Sequence, residues 1–306
     1  MYVLLIVGFV LLIKGADFFV EGSSSVAKLL GVPSVIIGLT IVAMGTSAPE
    51  CAVSVTAGLA GSNEIAISNV IGSNLFNLLV VAGVCAFIKA FPMDKDILRR
   101  DFPVNVAASA LLAMLLFVGN GLNFVDGLIL LACMAGYLVW VVRNALKDRT
   151  PSSENVATLS PVKSAVFVVG GLAAVVFGGN LVVDNATLIA QSLGLSETFI
   201  GLTIIAMGTS LPELVTSVVA ARKGDSSLAL GNVVGSNIFN ILLILGLSST
   251  LHPIAANPAA LANTMLLLVA TVALYAWCRY RKEVSRPIGM TCVAAYLAYT
   301  VFLIVG

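Results

Sequence analysis

Residues 38–50 read GLTIVAMGTSAPE, and residues 201–213 read GLTIIAMGTSLPE. Each stretch ends in a glutamate beside a proline, with leucine, isoleucine, valine and methionine before it. A carboxylate in such surroundings is costly to bury, and an ionisable group within an apolar span marks function by default. The two glutamates, Glu50 and Glu213, are 163 positions apart, and the same offset relates Gly15 to Gly178, Gly31 to Gly194, Gly72 to Gly235 and Asn77 to Asn240. No gap is needed across 15–84 against 178–247, and NVIGSNLFN at 69–77 returns as NVVGSNIFN at 232–240. The chain carries one unit twice.

Composition says where that unit resides. Of 306 residues, 59% are apolar and 10% charged, against about 25% charged in an ordinary soluble domain. Apolar runs recur from end to end, each near the roughly 20 residues that a membrane-crossing helix requires. The expected fold class is an all-α polytopic membrane protein with ten transmembrane helices, since a membrane β-barrel would alternate in segments of about 10 residues. The spans read as about 2–21, 33–60, 64–88, 102–119, 124–143, 164–183, 197–221, 226–248, 259–280 and 287–305. Residues 1–20 lack the basic start and cleavage site of a signal peptide, and the repeat uses them, so they read as a mature helix. The polar stretch KDRTPSSENVATLSPVK at 147–163 reads as a linker between a first five-helix repeat, 1–146, and a second, 164–306.

An odd number of spans per repeat makes equivalent helices cross in opposite directions. That is the inverted-repeat plan of secondary transporters, whose ion sites lie near the midplane on interrupted helices. Charge provides an independent check. With the N-terminus outside, 15 of the 16 lysines and arginines fall on one side, Lys14 alone being left out. The positive-inside rule makes that side the cytoplasm. The reading is therefore a plasma (inner) membrane protein, multi-pass, with both termini extracytoplasmic and the central linker cytoplasmic. The net charge of +1 gives no sign of a nucleic-acid partner.

The chemistry lies in the repeated segments. Pro49 has no N–H, and its ring clashes with the carbonyl four residues back, so the helix must open there. Carbonyl oxygens near Ala43 to Thr46 are expected to lack helical partners, which lipid does not tolerate unless the protein interior satisfies them. Thr46, Ser47 and Glu50 add side-chain oxygens on one face. Thr209, Ser210 and Glu213 repeat the set after Ala206. Ser73 and Asn77 share a face of the next helix, as do Ser236 and Asn240, while Gly72 and Gly235 allow backbones to approach. The result is a cage of oxygens with two carboxylates. Hard cations prefer oxygen, and calcium accepts six to eight oxygens in flexible geometry, whereas magnesium demands a stricter octahedron. Zinc would call for histidine or cysteine, and the sole histidine, His252, reads as a loop residue. Two glutamates balance one calcium, several sodium ions or two protons. Competition for the same two charges is the physical basis of antiport.

Blander readings stand beside these. Prolines and glycines in membrane helices often only kink them, and serine or threonine there often bonds its own backbone. Asp17, Glu21, Asn180 and Asp184 read as solvated or capping groups near span ends. Asn69, Asn232, Asn74 and Asn237 read as bonds between helices, and the five cysteines as small buried hydrophobes. Trp140, Trp277, Tyr137, Tyr275 and Tyr280 read as interface anchors.

GTSAPE with NVIGSNLFN, repeated as GTSLPE with NVVGSNIFN, resembles the two α-repeats of the cation/calcium antiporter superfamily, most of all prokaryotic sodium/calcium exchangers. The resemblance covers all ten spans. It implies four adjacent ion sites at the membrane centre. Calcium would be held by Glu50 and Glu213 with the backbone oxygens of Thr46 and Thr209. Sodium would use Ser47, Ser73, Ser210 and Ser236 with the same glutamates, the threonines, and the carbonyls of Ala43 and Ala206. Asn77 and Asn240 would line the central position. It further implies that the first and sixth helices slide together across the other eight, and that three sodium ions enter for one calcium exported. Some relatives, including potassium-dependent ones, carry aspartate where this chain has Asn240, which argues against a potassium requirement. Proton-coupled relatives carry GNAVE-like wording around the glutamate, so GTS favours sodium over the alternative, proton/calcium antiport. The expected partners are calcium and sodium ions and the lipid bilayer, with no resident cofactor, no catalytic residue and no obligate protein partner, the monomer being the working unit. A cation channel built from the same cage is disfavoured by the inverted repeat. An intramembrane protease would need HExxH, paired GxGD aspartates or a Ser–His dyad, and the sequence has none of these.

Overall fold

The computed structural model describes residues 1–59, 63–147, 159–194 and 206–305. Helices dominate it. In chain order they are α1 (Tyr2–Leu30), α2 (Ser34–Thr46), α3 (Ala48–Leu59), α4 (Ile65–Ile88), α5 (Ile97–Gly119), α6 (Phe124–Lys147) and α7 (Pro161–Ser192). After the undescribed 195–205 come α8 (Ala206–Gly208), α9 (Leu211–Lys223), α10 (Ser226–Leu251), α11 (Pro258–Arg281) and α12 (Arg286–Val305). Eight of these are long and apolar enough to cross a membrane, or nine when the bent pair α2–α3 counts as one span. The expected span 197–221 is described only in its second part, α8 and α9, and the expected linker mostly lies outside the described residues.

Two expected spans are longer than their apolar runs. The helices predicted over 2–21 and 164–183 continue to Leu30 and Ser192. Hydropathy marks the stretch that suits hydrocarbon, while the polar residues that follow remain helical until a left-handed Gly31, at φ 64°, closes α1. Asp17 consequently lies within α1 rather than near its end.

α1 and α7 pack on one another along most of their length, and glycines set the distance. Gly8, Gly15 and Gly22 recur every seven residues along α1, and Gly171 and Gly178 do so along α7. A methyl group on Gly15 would sit 2.8 Å from the Val175 nitrogen, and one on Gly171 2.5 Å from the Phe19 nitrogen. Backbone therefore meets backbone, as small residues permit where no hydrophobic force drives helices together in lipid.

The helices that carry the repeated motifs form the centre. α10 is the most enclosed, with 94% of its apolar window buried, against 28% for α11. α2 lies across α10 so closely that a methyl on Gly38 would meet the Leu228 carbonyl oxygen, and one on Gly231 the Val35 carbonyl oxygen. Asn74 on α4 and Asn237 on α10 each donate to the other's backbone carbonyl at 3.2 Å, the bond between helices expected of them. α4 and α10 each contain a turn of π-helix at equivalent places, Asn77–Val81 and Asn240–Ile244.

Short strands clasp the periphery. β1 (Phe91–Pro92) pairs antiparallel with β4 (Glu283–Val284), and β2 (Gly121–Leu122) with β3 (Ile254–Ala255). The connection α4–α5 is thereby joined to α11–α12, and α5–α6 to α10–α11. Tyr137 is not the interface anchor expected from its type. It is buried, and its hydroxyl donates to Asp101 at 3.1 Å, beside a two-pronged Arg100–Asp101 pair at 2.9 Å. Cys133 is likewise exposed rather than buried.

Candidate ion-binding site

The break between α2 and α3 is sharp and small. The two arms are bent by 48° at Ser47, with Pro49 in the first turn of α3. The expectation of free carbonyls from Ala43 to Thr46 needs correction, because the Ala43 oxygen accepts the Ser47 N–H at 3.0 Å. Proline removes only the i+4 bond to Gly45, whose oxygen takes a cap N–H instead, and the Ala43 bond is kept. The Ala43 carbonyl keeps a second lone pair. On the later copy, Ser210 precedes α9 as Ser47 precedes α3, and Ala206 begins α8.

The bend aims each motif at its twin. Ser47 donates its hydroxyl to Glu213 Oε1 at 2.8 Å, and Ser210 donates to Glu50 Oε1 at 2.9 Å. Ser73 on α4 supplies a longer bond to Glu50 Oε1 and Ser236 on α10 to Glu213 Oε1, both 3.4 Å. Each carboxylate thus receives one serine from its own half and one from the other. Both glutamates are fully buried, and so are Ser73, Ser210, Ser236, Asn77 and Asn240.

The second oxygen of each carboxylate is the informative atom. Glu50 Oε2 and Glu213 Oε2 are buried and have no hydrogen-bond partner among the described residues. The amide oxygens of Asn77 and Asn240 share that condition. Asn240 uses its nitrogen on Asn74 Oδ1 at 2.9 Å, while both side-chain atoms of Asn77 are without a partner. Leaving a buried acceptor unsatisfied costs about 1–3 kcal/mol, more for a charged group. A group of such acceptors, two of them carboxylate oxygens, has the chemistry that hard cations prefer. Among the described residues no set of three His, Cys, Asp or Glu comes together, so the charge is limited to these two carboxylates. His252 lies just beyond the end of α10 and is exposed.

Of the residues singled out in the sequence, the structure brings together both glutamates and the four serines directly. Thr46 is at the same place, its one hydroxyl hydrogen shared between the Val42 carbonyl and Asn232 Oδ1, both at 3.1 Å, and the Ala43 carbonyl at 3.4 Å. Thr209 is buried at its hydroxyl, which has no partner. Asp17, Glu21, Asn180 and Asp184 stand outside the site on α1 and α7, Glu21, Asn180 and Asp184 being exposed. Sequence reading missed Asp225, which caps α10 through the Leu228 N–H at 3.0 Å and takes hydroxyls from Ser24 at 2.9 Å and Ser34 at 2.8 Å. An acidic residue just ahead of an apolar helix is a capping signal that could have found it.

Comparison with known proteins gives the chain a family. Residues 1–143 and 163–305 match the model of the sodium/calcium exchanger protein family. The chain is 33% identical to the sodium/calcium exchanger MaX1 of Methanosarcina acetivorans, over 99% of this chain and 98% of that protein. It is 36% identical to the inner membrane protein YrbG of Escherichia coli, over 98% of this chain and 95% of YrbG. Among solved structures it resembles the sodium-calcium exchanger NCX_Mj soaked with zero Na+ and Ca2+, with a TM-score of 0.86 and 33% identity, covering 99% of this chain and 100% of that one.

Proposed function

The chain belongs to the sodium/calcium exchanger family, and we propose that it exports calcium in exchange for sodium by alternating access. It is a transporter rather than an enzyme. The observation that carries the reading is the crossed pairing of Ser47 with Glu213 and Ser210 with Glu50, which leaves one oxygen of each buried carboxylate unengaged.

In this reading calcium bridges Glu50 and Glu213, with the backbone oxygens of Thr46 and Thr209 completing its shell. Sodium ions occupy flanking positions among Ser47, Ser73, Ala43 and, on the other half, Ser210, Ser236 and Ala206. Asn77 and Asn240 line the centre, where their amide oxygens have no other partner. Two carboxylates are neutralised by one divalent ion or by monovalent ions, so the two loads compete for one set of charges. An empty pair of buried carboxylates is the costly state, which couples the departure of one ion to the arrival of the other.

The arrangement of the chain follows the same reading. Ten spans form two inverted five-helix repeats around the site, and the positive-inside rule sets the connections α1–α2, α4–α5, α6–α7, α9–α10 and α11–α12 in the cytoplasm. Both termini are extracytoplasmic, the membrane is the inner (plasma) membrane, and a single chain suffices. The strand clasps support this, since each joins two connections assigned to one side. α1 and α7, packed together through their glycines, are the pair that moves across the rest.

Calcium flux in proteoliposomes tests the reading, with sodium and pH gradients varied separately. Flux that requires a sodium gradient is the expected result. Flux that ignores sodium and follows pH would replace it with proton/calcium antiport.

A further inference from the structure

At equivalent places on the two sides of the site, one hydrogen bond is made and its twin is not. Asn232, on α10, donates its amide to the Ser217 hydroxyl at 2.9 Å and to the Glu213 carbonyl at 3.5 Å. Its Oδ1 lies 3.1 Å from the Thr46 hydroxyl, whose one hydrogen it shares with the Val42 carbonyl at 3.1 Å and the Ala43 carbonyl at 3.4 Å. It thereby joins the two broken helices. Asn69, its counterpart on α4, repeats the first part, donating to the Ser54 hydroxyl at 3.0 Å and to the Glu50 carbonyl at 3.3 Å. The remaining bond would run from Thr209 to Asn69. It is absent, and the buried Thr209 hydroxyl has no hydrogen-bond partner among the described residues.

The imbalance extends beyond the site. α1 packs along α9 on the Asn232 side, where the Lys223 ammonium donates to the Asp17 carbonyl at 2.8 Å and lies 3.4 Å from its carboxylate. Asp225 ties Ser24 of α1 and Ser34 of α2 to the start of α10. On the Asn69 side α7 has no comparable packing against α3 among the described residues. A cavity of about 450 Å³ lies along α3, lined by Met44, Ser47, Ala48, Cys51, Ala52 and Phe239, and another of about 510 Å³ lies between α1 and the end of α9. Among the described residues, α1 closes on the broken helix where the threonine–asparagine contact is made, and α7 does not where it is missing.

We propose that Asn232 and Asn69 are positioning residues of the exchange cycle, each accepting the threonine hydroxyl of the opposing broken helix only while its own side is shut. The inference rests on the antiporter reading above. In that reading Thr46 and Thr209 lend backbone oxygens to the ions, so their hydroxyls are free to exchange partners as the sides open and close. The amide bonds to Ser217 and Ser54 persist in both states and keep each asparagine in place.

The test uses Thr46→Val and Thr209→Val, which remove the hydroxyl and keep the backbone oxygen and the shape. Calcium half-saturation is measured at each face of the full-length protein in sided vesicles. Thr46→Val weakens the shut inner side, so calcium should bind more tightly from inside and more weakly from outside. Thr209→Val should do the reverse. Each shift is expected at about threefold to tenfold, the net worth of one buried hydrogen bond. Serine at either position restores the hydroxyl and should behave as wild type. Asn232→Ala and Asn69→Ala should take the signs of Thr46→Val and Thr209→Val, which keeps the test open if a valine variant folds poorly. Shifts of the same sign in both halves, or none, overturn the proposal, because a merely structural role would weaken both faces alike. A wild-type protein that moves no calcium would instead sink the antiporter reading. Amide hydrogen exchange of residues 220–230 then decides this one without ions: faster exchange in Thr46→Val but not in Thr209→Val supports it, and equal rates in the two overturn it.

Discussion

The arm that follows the first bend, α3, and the arm that follows the second, α9, begin alike and diverge within two turns. Glu50 and Glu213, Ser54 and Ser217, Ala57 and Ala220 stand at matching positions. Between them Ala48, Cys51 and Ala52 answer Leu211, Leu214 and Val215. The small residues of α3 line a cavity, and the large ones of α9 pack into the hydrophobic core. α9 then ends in Arg222, Lys223 and a left-handed Gly224, all ahead of the Asp225 cap, whereas the matching positions after Leu59 hold no charge. Identity is kept where both copies meet at the carboxylate pair, and lost towards the far ends of the two arms.

The largest expected effect would break the identical part. Glu50→Gln or Glu213→Gln should each reduce calcium flux by about 100-fold or more, since one carboxylate no longer balances a divalent ion. Size-exclusion chromatography should show both variants folded, and wild-type flux in either would refute the site. Next come the glycines of the α1–α7 crossing, where Gly8 and Gly171 are equivalents. Alanine at Gly171 would sit 2.5 Å from backbone, against 2.9 Å from the Val182 side chain at Gly8. Gly171→Ala should cost about 1–3 kcal/mol and lower the melting temperature more than Gly8→Ala. Gly170, its open neighbour, should accept alanine without loss.

Smaller effects sharpen the comparison. Ser47→Ala and Ser210→Ala each remove one hydroxyl from the opposite glutamate. A hydrogen bond to a charged group contributes roughly 1.5–3 kcal/mol, so each should slow transport by about 10-fold or more. Matching losses would confirm that the halves contribute equally, and a loss in only one would deny it. Lys223→Gln should do least. Its ion pair with Asp17 is more than one-third exposed on both sides, and such pairs contribute about 0–1 kcal/mol. Thermal stability should barely move.

Much of this is legible in the sequence because the repeat supplies its own control. A proline–glutamate pair that occurs twice at a fixed offset is readable without coordinates, and so are the serines and asparagines beside it. The crossing of Ser47 to Glu213 is not readable, because partners 166 residues apart leave no periodic trace. For the same reason Tyr137 cannot be assigned to Asp101 from the chain alone. The extra turns of α1 and α7 are hidden by a different cause: hydropathy reports the solvent a residue suits, and a helix continues past that boundary while its backbone bonds are satisfied. The Ala43 carbonyl shows a third limit. A proline in the sequence says that a helix must give way, but not by how much, and here a 48° bend suffices to keep that oxygen bonded.

The two-residue strands divide the bundle into fixed and free parts. Gly121 with Ala255 and Phe91 with Val284 staple the outer helices to one another at both ends of the bundle. No such staple reaches α1 or α7 among the described residues. The strands thus brace α4, α5, α6, α10, α11 and α12, while α1, α7 and the broken helices are held by packing and side-chain bonds. Of the described helices that no strand holds, α1 and α7 alone touch backbone to backbone through matched glycines, which makes the two rods one mechanical piece.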